Sequence, residues 1–334
     1  METPPLIKSS ANYNIKNPVI LLVCPKNLPN LYSPIIKEVS NCKIICVEDS
    51  EEAIFDKVND VNAIIGCPRI FFNDDLIEKA GDKLIWVHNP GAGIEHLLTK
   101  KLIDSNIVFT NGRIIQGPEC ADHALALLLT LSRKIHNSYK DQENQISSRP
   151  IELLGKNAAV IGVGGIGMCI AERLSAFGVN VYGVDESYIP MVSYIQKRFQ
   201  PSLLPEFLPD MDIVCFSAPH TPMTHKMINL SLIKKFKLNS YFINVSRGGC
   251  VDLDALVYGL EEKILAGVGI DVTDPEPLPK THKLFSFNDV IITDHIAGLS
   301  EFNRSRSMEL IKENIMRFTQ GKTLINIVNK KSGY

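Results

Sequence analysis

Three residues in the C-terminal third of the chain have the types needed to move a proton beside a carboxylate: Arg247, Glu276 and His295. An arginine presents a planar fork that pairs bidentately with a carboxylate. It can also polarise an adjacent carbonyl as charge develops on its oxygen. A histidine titrates near neutrality and can give or take a hydroxyl proton. A glutamate on the other ring nitrogen fixes the tautomer and favours the charged ring. Together these types suit hydride exchange between a dinucleotide and a small 2-oxo or 2-hydroxy carboxylate, with the cofactor supplying the hydride. Singly, each has a plainer reading: Arg247 as a surface ion-pair partner, Glu276 as a solvated loop acid, His295 as a buried structural histidine.

The elements that must position them begin with a glycine string, Gly162-Val163-Gly164-Gly165-Ile166-Gly167. It follows an apolar run at 158–161 and opens a helical run at 168–177. A second apolar run, 179–184, ends at Asp185. Strand, glycine turn, helix, strand and acid in this order make a dinucleotide-binding unit. Gly162 permits the tight turn, Gly164 lets backbone approach a pyrophosphate, and Gly167 lets the helix pack against the strand. The helix N-terminus offers free N–H groups to phosphate. Asp185, about 20 residues on, can accept from the adenosine ribose hydroxyls. Its carboxylate repels a 2′-phosphate, and no Arg or Lys follows in Asp185-Glu186-Ser187-Tyr188. Lys197 and Arg198 are predicted to face solvent, so NAD is favoured over NADP.

Runs at 158–161, 179–184, 213–217, 241–245, 268–270 and 290–292 read as six strands of a doubly wound parallel sheet with helical segments between them. Arg247, Glu276 and His295 fall on successive strand-end loops of that sheet, where such folds bind ligands. Before it, runs at 19–24, 43–47, 63–67, 84–88 and 107–110 alternate with helical patterns at 51–58 and 74–79, which implies another parallel sheet covered on both faces. Gly117-Pro118 marks a break and a long helix is predicted from 119 towards 144. A last helix is predicted from beyond Ser300 to about Gln320, stopped by Gly321 and returning to the first domain. The expected division is 1–118 with 301–334 as a discontinuous substrate domain and 119–300 as the NAD-binding domain.

At 334 residues the chain suits two domains, and 45% hydrophobic with 22% charged residues is a globular composition. A net charge of −2 argues against nucleic acid as a partner. The eight Cys form no CxxC pair and read as reduced thiols of a cytoplasmic protein. The start lacks a signal-peptide pattern, residues 1–17 read as a loose polar arm, and no apolar run is long enough for a bilayer, so no membrane partner is expected.

On these residues the chain resembles the D-isomer-specific 2-hydroxyacid dehydrogenases from about 19 to 325. Asn244-Val245-Ser246-Arg247-Gly248-Gly249 resembles the family's arginine motif, Asp271-Val272-Thr273-Asp274-Pro275-Glu276-Pro277 its glutamate motif, and Thr293-Asp294-His295-Ile296-Ala297-Gly298 its histidine motif. The resemblance implies two Rossmann-like α/β domains, the substrate domain flavodoxin-like, with the active site in the cleft between them. Arg247, Glu276 and His295 become the catalytic set. Cofactor contacts are implied at Gly162, Gly164, Gly165, Ile166, Gly167, Asp185, Pro219, Thr224, Val245, Ser246, Arg247, Asp271, His295 and Gly298. Ala92 and Gly93, in a loop resembling the family's substrate loop, would bind the substrate carboxylate through their amides, with Arg247 and His295 on its other side. A homodimer is implied, and no metal.

Asp294 stands where the family usually has proline, which puts a second carboxylate beside His295 and is expected to stabilise the imidazolium. The stretch 271–279 looks more like the glyoxylate/hydroxypyruvate reductase branch than like phosphoglycerate dehydrogenases, whose substrate would want more basic residues; Arg69, Arg113, Lys100 and Lys101 are the candidates. A dinucleotide-sensing dimeric interaction protein of the corepressor type is the alternative reading.

Overall fold

The computed structural model describes residues 15–140, 149–187 and 189–334. The chain divides into two compact units, one running to Arg113 and taking up Glu301–Tyr334, the other Ile114–Ser300.

The first unit holds five parallel strands, β1 (Val19–Cys24), β2 (Lys43–Glu48), β3 (Ala63–Ile65), β4 (Trp86–Asn89) and β5 (Val108–Asn111), in the order β2-β1-β3-β4-β5. Its inner strands β1 and β3 are unbroken apolar runs because both faces are covered. One face packs Leu21, Ile64 and Phe109 against Ile54, Leu76 and Ile77 of the helices Glu51–Lys57 and Asp74–Ala80. The other packs Ile20, Leu22 and Trp86 against Ile311, Ile315 and Phe318 of the helix Asn303–Thr319. Burial of that helix's apolar stripe holds the C-terminal segment in this unit. Lys330 adds a lock: its ammonium donates to the Leu102, Ser105 and Ile107 carbonyls, capping the short helix Lys100–Asp104. That helix and Ser33–Glu38 have no counterpart in the sequence reading, being too short to show a period.

The second unit holds seven parallel strands: β6 (Asn157–Ile161), β7 (Asn180–Val184), β8 (Lys197–Phe199), β9 (Ile213–Phe216), β10 (Ser240–Asn244), β11 (Leu265–Ile270) and β12 (Val290–Ile292). Their order is β12-β11-β10-β9-β6-β7-β8, so the chain reverses its direction of travel between β6 and β9. β8 is the strand the sequence reading lacks. It is a three-residue edge strand opening on Lys197 and Arg198, and charge at an edge hides the strand pattern.

The helix expected from 119 towards 144 is not continuous. The helix Gly117–Ser132 ends at Arg133, and a second begins at Ile135. Lys134 between them has φ 57° and is 3% exposed, its ammonium 2.8 Å from Asp289. That ion pair, its lysine buried and its aspartate partly exposed, holds the elbow in a conformation no helix continues through. Residues 141–144 and most of the expected N-terminal arm lie outside the described residues.

Among the described residues no helix is long and apolar enough to cross a membrane, and no group of three or more His, Cys, Asp or Glu could hold a metal ion.

Candidate active site

The glycine string links β6 to the helix Gly165–Ala176, which starts three residues earlier than its apolar pattern suggests. Each glycine answers to a different constraint. Gly162 has φ +86°, and a Cβ there would lie 2.4 Å from the Ala218 backbone. On Gly167 a Cβ would fall 2.0 Å from the Gly162 carbonyl oxygen, so the helix cannot approach the turn with any side chain. Gly165 is backed by Ile114, at 2.6 Å from such an atom, and is a packing position. Gly164, the residue before the helix, has nothing within 4 Å of that point. The open space at Gly164 with free helix N–H groups behind it fits a pyrophosphate. Ile166 is half-buried against the core beneath.

Asp185 follows β7. Its Oδ2 accepts from Val163 N at 2.8 Å and its Oδ1 from Ser187 N at 2.8 Å, which fixes the carboxylate beside the glycine turn. The nearby cations are committed elsewhere: the Arg198 guanidinium donates to the Pro190 and Val192 carbonyls, and the Lys197 ammonium lies 6.0 Å from the Tyr182 ring centroid. After β9, Thr224 Oγ1 donates to the Pro219 carbonyl at 2.6 Å and closes the 219–224 turn.

The catalytic candidates sit after β10, β11 and β12. Val245 and Ser246 are buried, and Asn244 Oδ1 accepts from both the Ser246 amide and its hydroxyl. The Asn244 amide nitrogen donates to the Arg247 carbonyl at 3.1 Å. Arg247 is half-buried and donates from one Nη to the Ser246 carbonyl at 2.7 Å. A Cβ on Gly248 would lie 2.0 Å from the Thr273 carbonyl, so this glycine lets the arginine loop press against the loop carrying Glu276. Glu276 Oε1 lies 2.7 Å from His295 Nδ1, both side chains roughly half exposed. With Nδ1 donating to the carboxylate, Nε2 is the nitrogen left to act. The structure therefore brings Glu276 and His295 into contact, with the Arg247 loop packed behind them.

Two of the expected cofactor residues also have structural partners within the unit. Asp271 is 1% exposed, and its carboxylate accepts from Thr293 Oγ1 (2.6 Å), Ile296 N (3.0 Å) and Ala297 N (2.9 Å). Its own carbonyl accepts from His295 N at 2.9 Å. Asp271 is thus the residue that holds the histidine loop, in which His295 has φ 53°. Gly298 packs against Gln116, whose amide nitrogen would lie 2.8 Å from a Cβ there. Asp294 is exposed, and the ring it adjoins pairs with Glu276. His123 is a residue the sequence reading missed: from the helix Gly117–Ser132 its Nε2 meets Thr293 Oγ1 at 2.9 Å and Asp271 Oδ1 at 3.4 Å. Nothing in its sequence neighbourhood signals that role.

In the first unit, the loop after β4 has its carbonyls tied down. Asn89 Nδ2 donates to the Gly91 and Gly93 carbonyls, Asn111 Nδ2 to that of Ala92 at 2.7 Å, and Gly112 N to that of Gly91. The Ala92 and Gly93 amides have no acceptor among the described residues. Asn89 and Asn111 are the missed residues here. Of the basic candidates, Arg113 donates to the Ile327 carbonyl and Lys101 pairs with Glu78.

A family model described as "D-isomer specific 2-hydroxyacid dehydrogenase, NAD binding domain" matches residues 125–297. A glyoxylate reductase of Pyrococcus furiosus is 30% identical over 297 residues, 85% of this chain and 87% of its own length. A D-3-phosphoglycerate dehydrogenase of Methanocaldococcus jannaschii is 28% identical over 306 residues, 88% of this chain and 56% of its own length. A D-isomer specific 2-hydroxyacid dehydrogenase from Xanthobacter autotrophicus Py2, solved with NADPH and MES, superposes with a TM-score of 0.81 at 23% identity, over 95% of this chain and 100% of that one. With the glycine cradle and the Glu276–His295 pair at the carboxyl ends of one parallel sheet, these matches show that the chain belongs to the D-isomer specific 2-hydroxyacid dehydrogenase family, nicotinamide-dependent oxidoreductases that act on the CH–OH group of their donors.

Proposed function

We propose that the protein reduces a 2-oxo acid to the D-2-hydroxy acid with NADH, glyoxylate and hydroxypyruvate being acids it turns over. The observation that carries this reading is the 2.7 Å contact of Glu276 with His295 Nδ1, on loops that also present Arg247. The glycine cradle would hold a nicotinamide dinucleotide by its pyrophosphate, and that cofactor would supply the hydride for C2 of the substrate. His295 Nε2 gives its proton to the C2 oxygen, and Glu276, at Nδ1, keeps the ring in register. The Arg247 fork holds the substrate carboxylate and draws the developing charge on the carbonyl oxygen. Ala92 and Gly93 are proposed as further carboxylate donors, because their loop turns its carbonyls into hydrogen bonds within the unit and leaves these amides unused.

NADH over NADPH is supported by the fixed Asp185 carboxylate and by the prior engagement of Arg198 and Lys197. The Xanthobacter neighbour was solved with NADPH, so cofactor choice is a sharp test. Loss of NADH absorbance with glyoxylate, hydroxypyruvate and pyruvate, repeated with NADPH, is expected to show turnover and an NADH preference of about tenfold or more, some 1.4 kcal/mol. Equal use of both cofactors would remove the role given to Asp185. Absence of turnover with NADH still bound would favour a dinucleotide-sensing protein. We also propose a cytoplasmic homodimer; light scattering should then report twice the 37.1 kDa chain mass.

A further inference from the structure

A cavity of about 250 Å³ opens at the carboxyl ends of β1, β3 and β4 in the first unit. The strand order reverses between β1 and β3, and open α/β sheets bind ligands at such a point. Its walls are largely apolar, with Leu28, Leu31 and Met308 among them, and Pro90 forms part of it. Pro90 lies two residues before Ala92, the first of the two unused amides, so an acid held by its carboxylate there has this cavity beside it. Asn303, Arg304 and Ser307 line its side at the last helix, and a further polar group, the Tyr32 hydroxyl, belongs to a residue of its wall. Tyr32 is 2% exposed, and its hydroxyl lies against Gly66, where a Cβ would fall 2.6 Å from it. Both residues line the cavity. The hydroxyl has no hydrogen-bond partner among the described residues. Burial pushes the phenol well above its usual range, so it stays a neutral donor. With that hydroxyl unpaired among the described residues, a polar group of a ligand in the cavity can pair with it.

We propose that this cavity receives the C2 substituent of the 2-oxo acid, and that the substituent is a mostly apolar body ending in a hydroxyl that meets Tyr32. The inference rests on the reading of the Ala92 and Gly93 amides as carboxylate donors. At water's share of ~30 Å³ per group, the cavity has room for about eight non-hydrogen atoms. Glyoxylate has only hydrogen at C2 and hydroxypyruvate a single hydroxymethyl, so neither fills the space. An arylmethyl group with a para hydroxyl has the right size and the right tip.

The test compares kcat/KM of the full chain with NADH on glyoxylate, phenylpyruvate, 4-hydroxyphenylpyruvate and 2-oxoglutarate, for the parent, Leu28→Trp and Tyr32→Phe. In the parent, 4-hydroxyphenylpyruvate should exceed glyoxylate by about tenfold or more and phenylpyruvate by about threefold or more. Leu28→Trp, which fills the cavity, should lower the ratio of aryl acid to glyoxylate by about tenfold. Tyr32→Phe should bring the two aryl acids within about twofold of each other. A parent that prefers glyoxylate, or an aryl-to-glyoxylate ratio that Leu28→Trp leaves unmoved, overturns the inference while the proposed function stands. A preference for 2-oxoglutarate also overturns it, in favour of a second carboxylate at Arg304, which lines the same cavity. Turnover of none of these acids, nor of hydroxypyruvate or pyruvate, overturns both.

Discussion

At the scale of single residues, the chemistry rests on what each side chain already holds. His295 has Nδ1 engaged by Glu276 at 2.7 Å, which leaves Nε2 to carry the proton. His295→Ala should therefore lower kcat by about 10²–10⁴-fold while the NADH dissociation constant stays within about twofold. Arg247→Ala should raise KM and lower kcat together, because the same fork binds the carboxylate and answers the charge at the carbonyl. Stopped-flow and steady-state measurements on the two variants separate these patterns, and a His295→Ala enzyme that keeps its turnover would reassign the proton donor. The residues proposed for the chemistry stand out in the sequence because their types and motifs suggest it. Their supports do not. His123 and Thr293 meet across 170 positions, and Asn111 reaches the Ala92 carbonyl across 19. No local pattern encodes a hydrogen bond of that span.

At the scale of elements, two glycines make opposite predictions. A Cβ on Gly248 would lie 2.0 Å from the Thr273 backbone, so Gly248→Ala must push the arginine and glutamate loops apart. It should lower Tm and cut kcat/KM by about tenfold or more, since about 1.4 kcal/mol of lost positioning suffices. Gly164 has nothing within 4 Å and ordinary backbone angles. Gly164→Ala should leave stability within about 0.5 kcal/mol of the parent and instead weaken NADH binding, because its methyl group projects where the pyrophosphate would approach. Calorimetry and NADH titration of both variants check the contrast. In the sequence both glycines read as members of motifs, and only the neighbours each one faces tell them apart. The same holds for the elbow at Lys134: the apolar spacing runs on toward a longer helix, and the ion pair of the buried Lys134 with Asp289 ends it.

At the scale of the whole molecule, acid stability has an identifiable source in the first unit. His88 is 1% exposed; its Nδ1 lies 2.8 Å from Thr110 Oγ1, which accepts from Trp86 Nε1, and its Nε2 is buried with no partner among the described residues. Burial pushes the imidazole from 6.5 down to about 3. Between these values the unfolded chain takes up a proton that the folded chain refuses. The stability this neutral ring contributes is present above about pH 6.5 and is lost as pH falls towards 3. Between pH 7 and pH 5 the loss is about 2 kcal/mol. Denaturant unfolding at both values should show it, and His88→Gln, which does not titrate, should flatten the difference; an unchanged slope would place the acid sensitivity elsewhere. From sequence His88 is one more residue at a strand end. By itself the sequence determined the two parallel α/β sheets and the dinucleotide cradle, and it singled out the three residues proposed to do the chemistry, because period, glycine spacing and side-chain type are local properties. Only the tertiary structure decided that Asp271 braces the histidine loop, that Gly248 sets the spacing of two catalytic loops, and that Tyr32 faces a cavity with no partner, because each depends on what distant segments bring within a few ångströms.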